Sequence, residues 1–584
     1  MTSDVDDVST PEDVTAAAAP VAVTRGPADL WSRHRSWLVP LAVVAFLAQM
    51  AVGMVTAARQ ESTTVDEVAY LGAAVTYAHD HDLADNYEHP PLTKLLEATG
   101  LAFVDVKRTT HFDGDQWALG EHLLYDSGND AQELLFAARL PMIILTLLFG
   151  LVVFAFARDL TGPAGGLLAL LLYAFSPDVI GYGSLAGVDL PTAGFLLTAL
   201  WLLWRARSRP YLHLPLAGVA LGAATASKAT ALPGLLVGAG LAVVSVWFAG
   251  RAHHLGRPPV LRLLLIGVAA AAGVVAVAIA TVWVTYLIVD PHLHWVTPRS
   301  VGPVHGLKGE LFNLLPLPRP FLDGMRLQLG LEKGTYSSVL FGDFQNGARW
   351  YYLPGALLIK EPLGMLALWL IGSVAMLRSA KLRPAALYLL LPTAVLTATA
   401  MAGNRNWGVR YAIFVPVILA VVAAAVLVYR NRWPRVVVGL LAAFVAISSL
   451  AAFPYYLTYS NEAFGGPSKT YLQLTDSNVD WGQDMSRLGD RLARRYPGEQ
   501  AWLIYKGRGR AAYYGVPGQN PLVLPPAQVH GLIAISVRCL TLKSACLPDA
   551  SVISAKKARA NFNELLATST RIDNVGNSIF IYRR

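Results

Sequence analysis

The chain has 584 residues, of which 54% are hydrophobic and only 15% are charged. Apolar runs of nearly membrane-spanning length recur along it, so the composition excludes an ordinary soluble domain and indicates a polytopic membrane protein. The net charge of +8 does not indicate a nucleic-acid-binding protein. Its Arg and Lys residues lie in short loops between apolar runs, where they orient a membrane protein, and no nucleic-acid-binding motif accompanies them.

The N-terminal residues 1–30 are acidic and then rich in Ala and Pro, which predicts a disordered cytoplasmic tail. They lack the basic and apolar regions of a signal peptide, so the first apolar run is expected to remain as a helix. The criterion of about twenty apolar residues predicts about eleven membrane spans, at 37–57, 134–157, 165–180, 190–204, 212–227, 229–248, 263–289, 353–377, 385–401, 411–429 and 436–454.

The charges between these spans predict their orientation. Arg33 and Arg35 precede the first span and place the N-terminus in the cytoplasm, and the basic segment 205–209 then falls on the same side. The polar segments 58–133 and 290–350 become large external loops. An odd number of spans places the C-terminus outside, provided that the hairpin with Lys228 at its tip contains two spans.

Residues 458–584 are polar and follow a membrane module of residues 31–457. Apolar residues at helical spacing predict a helix over 483–496, and short apolar runs predict strands at 502–505, 532–537 and 578–582. We expect a small extracytoplasmic α/β domain. Its two cysteines, Cys539 and Cys546, could form a disulfide or remain as thiols.

An adjacent acidic pair, Asp66 and Glu67, follows the first span after a few residues. The apolar stripe behind the pair predicts that both acids lie in the first turn of a helix, where carboxylates complement the helix dipole. A carboxylate at the membrane interface is also partly desolvated and is suited to act as a general base.

A second motif, His-Pro-Pro-Leu-Thr-Lys at residues 89–94, opens a predicted amphipathic helix. Proline suits a first helical turn, and the helix is too short and too charged to span the bilayer, so it should lie on the membrane surface. It could anchor the loop, or His89 and Lys94 could point at a lipid phosphate.

These two motifs, Asp-Glu-x2-Tyr and His-Pro-Pro-Leu-x-Lys between the first two spans, resemble the protein O-mannosyltransferase and aminoarabinose-transferase superfamily. Its members are integral-membrane glycosyltransferases of the GT-C fold that use polyprenyl-phosphate sugars. The resemblance covers residues 37–490. Further similar elements are Arg139-Leu-Pro, Ser176-Pro177, Asp189-Leu-Pro, the Lys228 segment, Tyr351-Tyr352, Lys360-Glu361-Pro362, Gly408-Val-Arg410-Tyr411 and Asp476–Asp484.

The resemblance implies that Asp66 is the base that deprotonates the acceptor hydroxyl, in an inverting displacement of polyprenyl phosphate. Glu67 would orient Asp66 or bind the sugar. The residues expected to bind the donor phosphate are His89, Lys94, Arg139, Lys360 and Arg410. The residues expected to contact donor or acceptor are Asp189, Tyr351, Asp480 and Trp481.

Structural roles remain open for several of these residues. Arg139 and Arg410 could be snorkelling at the interface, and Lys360 with Glu361 could be an internal ion pair. The segment 476–484 could be a polar helix start.

The resemblance is to enzymes with monophosphate donors, which implies that no metal is needed. A divalent cation bound by Asp66, Glu67, His89 and Asp189 is the alternative, since carboxylates with histidine suit Mn or Mg.

The sequence therefore predicts a multi-pass plasma-membrane glycosyltransferase with a polyprenyl-phosphate sugar donor and a glycan, lipid or protein acceptor. A transporter or flippase of a lipid-linked sugar is the main alternative. Transporters commonly show matching halves with interrupted helices, whereas the polar residues of this chain gather in two loops and its halves do not match. A surface receptor would not need so many spans.

Overall fold

The computed structural model describes residues 27–109, 112–253, 259–302, 312–429, 432–542 and 546–584. It is mostly helical, with a two-stranded sheet in the segment 290–350 and a four-stranded sheet near the C-terminus. The predicted fold class, a polytopic helical protein with a small C-terminal α/β unit, is confirmed.

The helices of the first half lie close to the predicted positions, except for the helix Gln116–Tyr125, which was not predicted. They are α1 (Pro27–Gln60), α2 (Val65–His79), α3 (Leu92–Leu101), α4 (Gln116–Tyr125), α5 (Ala131–Thr161), α6 (Pro163–Ala174), α7 (Pro177–Gly183), α8 (Asp189–Ala206), α9 (Pro210–Ser227), α10 (Leu232–His253) and α11 (Val260–Val289). The segment 290–350 contains α12 (Arg319–Leu331), β1 (Ser337–Leu340) and β2 (Asp343–Asn346). The membrane module ends with α13 (Tyr352–Lys360), α14 (Leu363–Arg378), α15 (Arg383–Met401), α16 (Phe414–Ala423) and α17 (Arg432–Ala451).

Among the described residues, six helices are long and apolar enough to cross a membrane, or up to eight segments if each of two bent helix pairs is one span. Two further predicted spans coincide with α8 and α9, which have 18 residues each. Another coincides with the shorter apolar helix Phe414–Val428. The predicted count of eleven is therefore not confirmed, although the helices lie where spans were predicted.

Two of the predicted spans contain a break at a proline. The axes of α13 and α14 differ by 119°, because Pro362 has no amide N–H and Glu361 before it is extended. The axes of α6 and α7 differ by 62°. There the Ser176 side chain caps α7 by accepting a hydrogen bond from the Val179 amide, and Pro177 fills the first turn.

The acidic pair Asp66 and Glu67 lies in the first turn of α2, as predicted. The Thr64 amide donates to Glu67 Oε2 at 2.8 Å, which satisfies an N–H group at the helix start. Asp115 and Asp130 are the N-cap residues of α4 and α5, and the side chain of each accepts hydrogen bonds from two amides of the first turn. The amphipathic helix predicted after the His-Pro-Pro turn is α3.

The C-terminal sheet has the strand order β3 (Ala501–Ile504), β4 (Leu532–Ser536), β6 (Ile579–Arg583) and β5 (Thr570–Val575). β3 and β4 are parallel, and the other pairs are antiparallel. β5 was not predicted, because its polar sequence shows no alternation. The helices of this unit are α18 (Met485–Arg495), α19 (Val537–Thr541) and α20 (Ala555–Ala567). Cys539 and Cys546 form a disulfide.

The segment before α18 joins the C-terminal unit to the start of α2. The Ser62 amide donates to the Gln483 carbonyl at 2.9 Å, and the Val65 amide donates to the Trp481 carbonyl at 3.0 Å. The backbone on either side of this junction is buried. The position of Asp66 is therefore set in part by residues from the far end of the chain.

Candidate active site

The side chain of Asp66 meets an arginine from the far end of the membrane module. Its Oδ2 accepts a hydrogen bond from Arg410 Nη1 at 2.5 Å, and the two residues are 344 positions apart. The Asp66 side chain is 19% exposed and that of Arg410 is 7% exposed. A charge-assisted contact with so little solvent around it is stronger than a surface ion pair.

The turn that carries Arg410 is shaped by Gly408. This glycine has φ of +137°, and a Cβ atom there would collide with the Ser477 hydroxyl oxygen. The neighbouring Val409 amide donates to Asn478 Oδ1 at 2.9 Å. The predicted motif around Arg410 and the predicted segment 476–484 are therefore one packed unit, in which only glycine fits at position 408.

A second carboxylate continues the line of charges. Asp189, in the first turn of α8, lies 3.7 Å from Arg410 Nη1 and accepts a hydrogen bond from Lys228 Nζ at 2.5 Å. Lys228 lies at the tip of the hairpin between α9 and α10, where it was predicted. The four charges therefore alternate in sign along a line, in the order Asp66, Arg410, Asp189 and Lys228. All four side chains are largely buried.

Aromatic rings support both cations. The Arg410 guanidinium lies 4.4 Å from the ring centroid of Trp481 and 5.1 Å from that of Tyr411. Lys228 Nζ lies 4.7 Å from the Tyr411 ring. Such contacts favour a positive charge over the ring face where water is scarce.

A cavity of about 420 Å³ opens next to these charges. Asp189, Lys228 and Arg410 form part of its wall, together with Arg405, which the sequence did not single out. Arg405 donates to Gln328 of α12 and to Glu332, the C-cap residue of that helix. In the sequence, Arg405 and Arg410 flank a Trp-Gly turn at the end of a predicted span, and this pairing is the signal that could have indicated Arg405. Apolar residues line much of the rest of the cavity: Ala193, Leu196, Pro233, Leu329, Leu396, Ile413 and Phe414.

Glu67 and Arg139 form a fully buried bidentate pair, away from this cavity. Arg139 Nε and Nη2 donate to the two Glu67 carboxylate oxygens, each at 2.7 Å. Arg139 also donates to the Ala58 and Ser62 carbonyl oxygens at 2.8 and 3.0 Å. Burial opposes the ionised form, but the arginine and backbone donors outweigh it and lower the pKa of Glu67. We infer a structural role for the pair, which joins α2 to α5.

Breaking this pair should destabilise the protein rather than change its chemistry. Glu67→Gln leaves the Arg139 charge buried without a counter-ion, so we expect a loss of about 3–5 kcal/mol in the free energy of unfolding. Thermal unfolding in detergent measures it, with the exposed Glu133→Gln as control. Equal melting of wild type and Glu67→Gln would contradict the structural role.

Lys94 is also buried, and it holds the loop before α3. Its Nζ donates to the Asn86 carbonyl at 2.8 Å and to the His89 carbonyl at 2.6 Å, and burial lowers its pKa to about 7. His89 packs edge-on against Tyr70, with 5.7 Å between ring centroids. Burial lowers the pKa of His89, and the positive charges of Lys228 and Lys94 lower it further. His89 is therefore a neutral ring close to the positive charges of Lys228 and Lys94.

Lys360 is enclosed within the helices and does not line the cavity. Its Nζ lies 3.3 Å from Asp178 Oδ1 and donates to the Leu457 carbonyl at 2.8 Å. This is the internal pairing that the sequence left open, with Asp178 rather than Glu361 as the nearest carboxylate. Tyr351 is exposed and packs against Trp350.

The two candidate residues from the segment 476–484, Asp480 and Trp481, contact different parts of the protein. The Asp480 carboxylate accepts hydrogen bonds from the Ser536 hydroxyl and, at 3.0 Å, from the Arg538 amide. Burial raises the pKa of Asp480 to about 6, although these donors oppose the rise. Asp480 therefore ties the C-terminal sheet to the membrane module, whereas Trp481 reaches the Arg410 guanidinium.

The four residues considered for a divalent cation do not form a joint ligand set. Arg139 and the Ala186 amide already occupy Glu67 Oε1, and Lys228 binds Asp189. In the described part of the chain, the group whose ligand atoms lie within 4.8 Å of one another is Asp290, His292 and His294, after α11.

Several solved structures are similar to this chain. One is ArnT from Cupriavidus metallidurans bound to undecaprenyl phosphate, with 15% identity over 92% of this chain and 97% of that chain and a TM-score of 0.46. Another is the archaeal oligosaccharyltransferase AglB from Archaeoglobus fulgidus with an inhibitory peptide and a dolichol-phosphate, with 13% identity over 88% of this chain and 71% of that chain and a TM-score of 0.45. A third is the Pmt1-Pmt2 complex of S. cerevisiae bound to the sugar donor, with 19% identity over 43% of this chain and 34% of that chain and a TM-score of 0.33. No curated protein sequence matches the chain.

A family model also matches part of the chain. Residues 131–276 match the family described as dolichyl-phosphate-mannose-protein mannosyltransferase. This segment runs from the start of α5 into α11 and contains Arg139, Asp189 and Lys228. The match confirms the resemblance and the enzyme class predicted from the sequence: the chain is similar to the membrane glycosyltransferases of that family.

Proposed function

We propose that this chain transfers a sugar from a polyprenyl-phosphate donor to an acceptor on the external face of the membrane. The family match over residues 131–276 supports the class of reaction. The observation that carries the proposal is the contact of Asp66 with Arg410, beside a cavity lined by further cations. The similar structures of ArnT and AglB contain undecaprenyl phosphate and a dolichol-phosphate, which are lipids of the proposed class.

Asp66 is the proposed base. It accepts the proton of the acceptor hydroxyl while that oxygen bonds to the anomeric carbon, and the bond from this carbon to the phosphate oxygen breaks with its electron pair. The phosphate leaves as an anion without needing an acid. One base on the attacking side is therefore sufficient, and the configuration at carbon is inverted.

Arg410 would pair with Asp66 before the displacement and with the leaving phosphate after it. Before reaction its guanidinium neutralises the Asp66 carboxylate, at 2.5 Å. As Asp66 gains a proton it loses its charge, while the departing phosphate gains one. Arg410 can then bind the phosphate without a change in the net charge of the cleft, which lowers the cost of charge separation in a site with little water.

Lys228 and Arg405 complete the proposed phosphate site, because both line the same cavity as Arg410. This revises the expected set, since Lys94, Arg139 and Lys360 do not line the cavity and have their partners elsewhere. His89 can still donate one hydrogen bond to the phosphate as a neutral ring. The apolar wall of the cavity suits the first isoprene units of the carrier.

Sugar transfer by purified protein tests the proposal. With a panel of polyprenyl-phosphate hexoses and pentoses, we expect one donor to be consumed in the presence of an acceptor extract, at the same rate with and without EDTA. Loss of activity in EDTA that Mn or Mg restores would contradict the metal-free reaction. Movement of intact donor across liposomes without consumption would identify a flippase instead.

The proposed orientation has a separate test. The cleft and the segment 205–209 lie at opposite ends of α8, so the cleft is external only if this segment is cytoplasmic. A membrane-impermeant maleimide should label Ser551→Cys, in the C-terminal unit, in intact cells. It should label Ser208→Cys only after permeabilisation. Labelling of Ser208→Cys from outside would invert the topology.

A further inference from the structure

A basic recess lies at the membrane face opposite to the Asp66 cleft. Asp189 is at the first turn of α8, and Arg205 and Arg207 are at its last turn and C-cap. A helix of 18 residues rises about 27 Å, which is close to the thickness of about 30 Å of a hydrocarbon core. The recess is therefore one bilayer away from the proposed chemistry and takes no part in it.

Four arginines line this recess, which has a volume of about 900 Å³. They are Arg205, Arg207, Arg209 and Arg251. Asp159 is the one carboxylate among its described lining residues, and it pairs with Arg205 at 3.3 Å. The recess therefore has a large excess of positive charge, more than is needed to balance its own acid.

Arg207 is held in place by aromatic stacking rather than by an ion pair. Its guanidinium carbon lies 3.9 Å from the Trp204 ring centroid and 4.7 Å from that of Phe248. Its Nε is buried and has no hydrogen-bond partner within the described part of the chain. Stacking through the faces of the guanidinium leaves its in-plane N–H groups directed at an acceptor, a geometry suited to phosphate.

An apolar groove continues from the recess along the membrane-facing side of α9, α10 and α11. The groove has a volume of about 870 Å³ and shares Ser208, Arg209 and Leu212 with the recess. Its wall is almost entirely aliphatic. Gly273 on α11 borders the groove, and a Cβ atom there would meet nothing within 4 Å.

We propose that the recess and groove together form a binding site for an anionic glycerophospholipid of the adjacent leaflet. The phosphate head group lies among Arg207, Arg209 and Arg251, and the acyl chains lie in the groove. A soluble anion would not require the groove, and a lipid without net charge would not require the arginines. A phospholipid with net negative charge fits both, and it is the molecule that surrounds this surface.

Native mass spectrometry of the detergent-purified full chain tests this site. The probes are phosphatidylglycerol, phosphatidylcholine with the same acyl chains, glycerol 3-phosphate and undecaprenyl phosphate. We expect preferential binding of phosphatidylglycerol. The double substitution Arg207→Gln with Arg209→Gln should weaken it by roughly ten- to thirty-fold. Arg378→Gln with Lys381→Gln, which removes the same charge from another exposed basic loop, should weaken it less than threefold.

A second pair of variants tests the groove without changing any charge. Gly273→Phe should fill the groove and reduce phosphatidylglycerol binding, whereas Gly240→Phe, on an exposed and open face of α10, should not. The proposal is overturned by equal binding of the two phospholipids, or by equal losses in test and control variants. It is also overturned if the loss of Arg207 and Arg209 weakens the binding of glycerol 3-phosphate or undecaprenyl phosphate more than the binding of phosphatidylglycerol.

Discussion

Asp66→Asn is expected to reduce the rate of sugar transfer by about 10²–10⁴-fold while the protein folds normally. The amide cannot accept the proton of the acceptor hydroxyl. Its oxygen can still accept the hydrogen bond from Arg410, so the cleft should keep its shape. The loss should appear in kcat at saturating donor. The melting temperature and donor binding should change little, because Asp189 remains 3.7 Å from Arg410 as its counter-ion.

Asp82→Asn is the matched control, because Asp82 lies in the same loop, 58–133, and is exposed. Within the described part of the chain its hydrogen-bond donor is the Ala84 amide. This variant should keep wild-type activity. If Asp66→Asn retained full transfer and melted at the wild-type temperature, another group would have to be the base. The nearest alternative is Asp189, which also borders the small pocket beside Asp66.

Arg410→Gln is the second variant with a large expected effect, a loss of roughly 10²–10³-fold in kcat. The substitution removes the charge that balances Asp66 before reaction and the phosphate after it. Arg410→Lys should recover part of the rate, because a lysine restores the charge but not the planar group that stacks on Trp481. Steady-state kinetics of both variants would separate this loss in kcat from a loss of donor affinity.

Arg299→Gln, an exposed arginine of the second external loop, is the control for a general loss of charge. Combining Asp66→Asn with Arg410→Gln should cost less than the product of the two single losses, since the residues act on the same step. Independent, multiplicative losses would contradict the exchange of Arg410 between Asp66 and phosphate.

Much of the chain's organisation follows from local sequence. Apolar runs, basic loops and helical stripes predicted the apolar helices of the membrane module, the first-turn position of Asp66, the amphipathic helix after His89 and the hairpin tip at Lys228. These features depend on residues within one or two helical turns of each other, so hydrophobic periodicity and helix-start signals are sufficient. The polar strand β5 lacked such a signal and was missed.

The partners of the charged residues were decided by the tertiary structure. In the sequence, Arg139, Lys360 and Arg410 are equivalent, each a cation near the end of a predicted span. Packing buries Arg139 against Glu67 and Lys360 against Asp178, and brings Arg410 to Asp66 across 344 positions. A buried charge needs a counter-ion within a few ångströms. Which counter-ion it meets depends on how the helices pack, and that information is not local in the sequence.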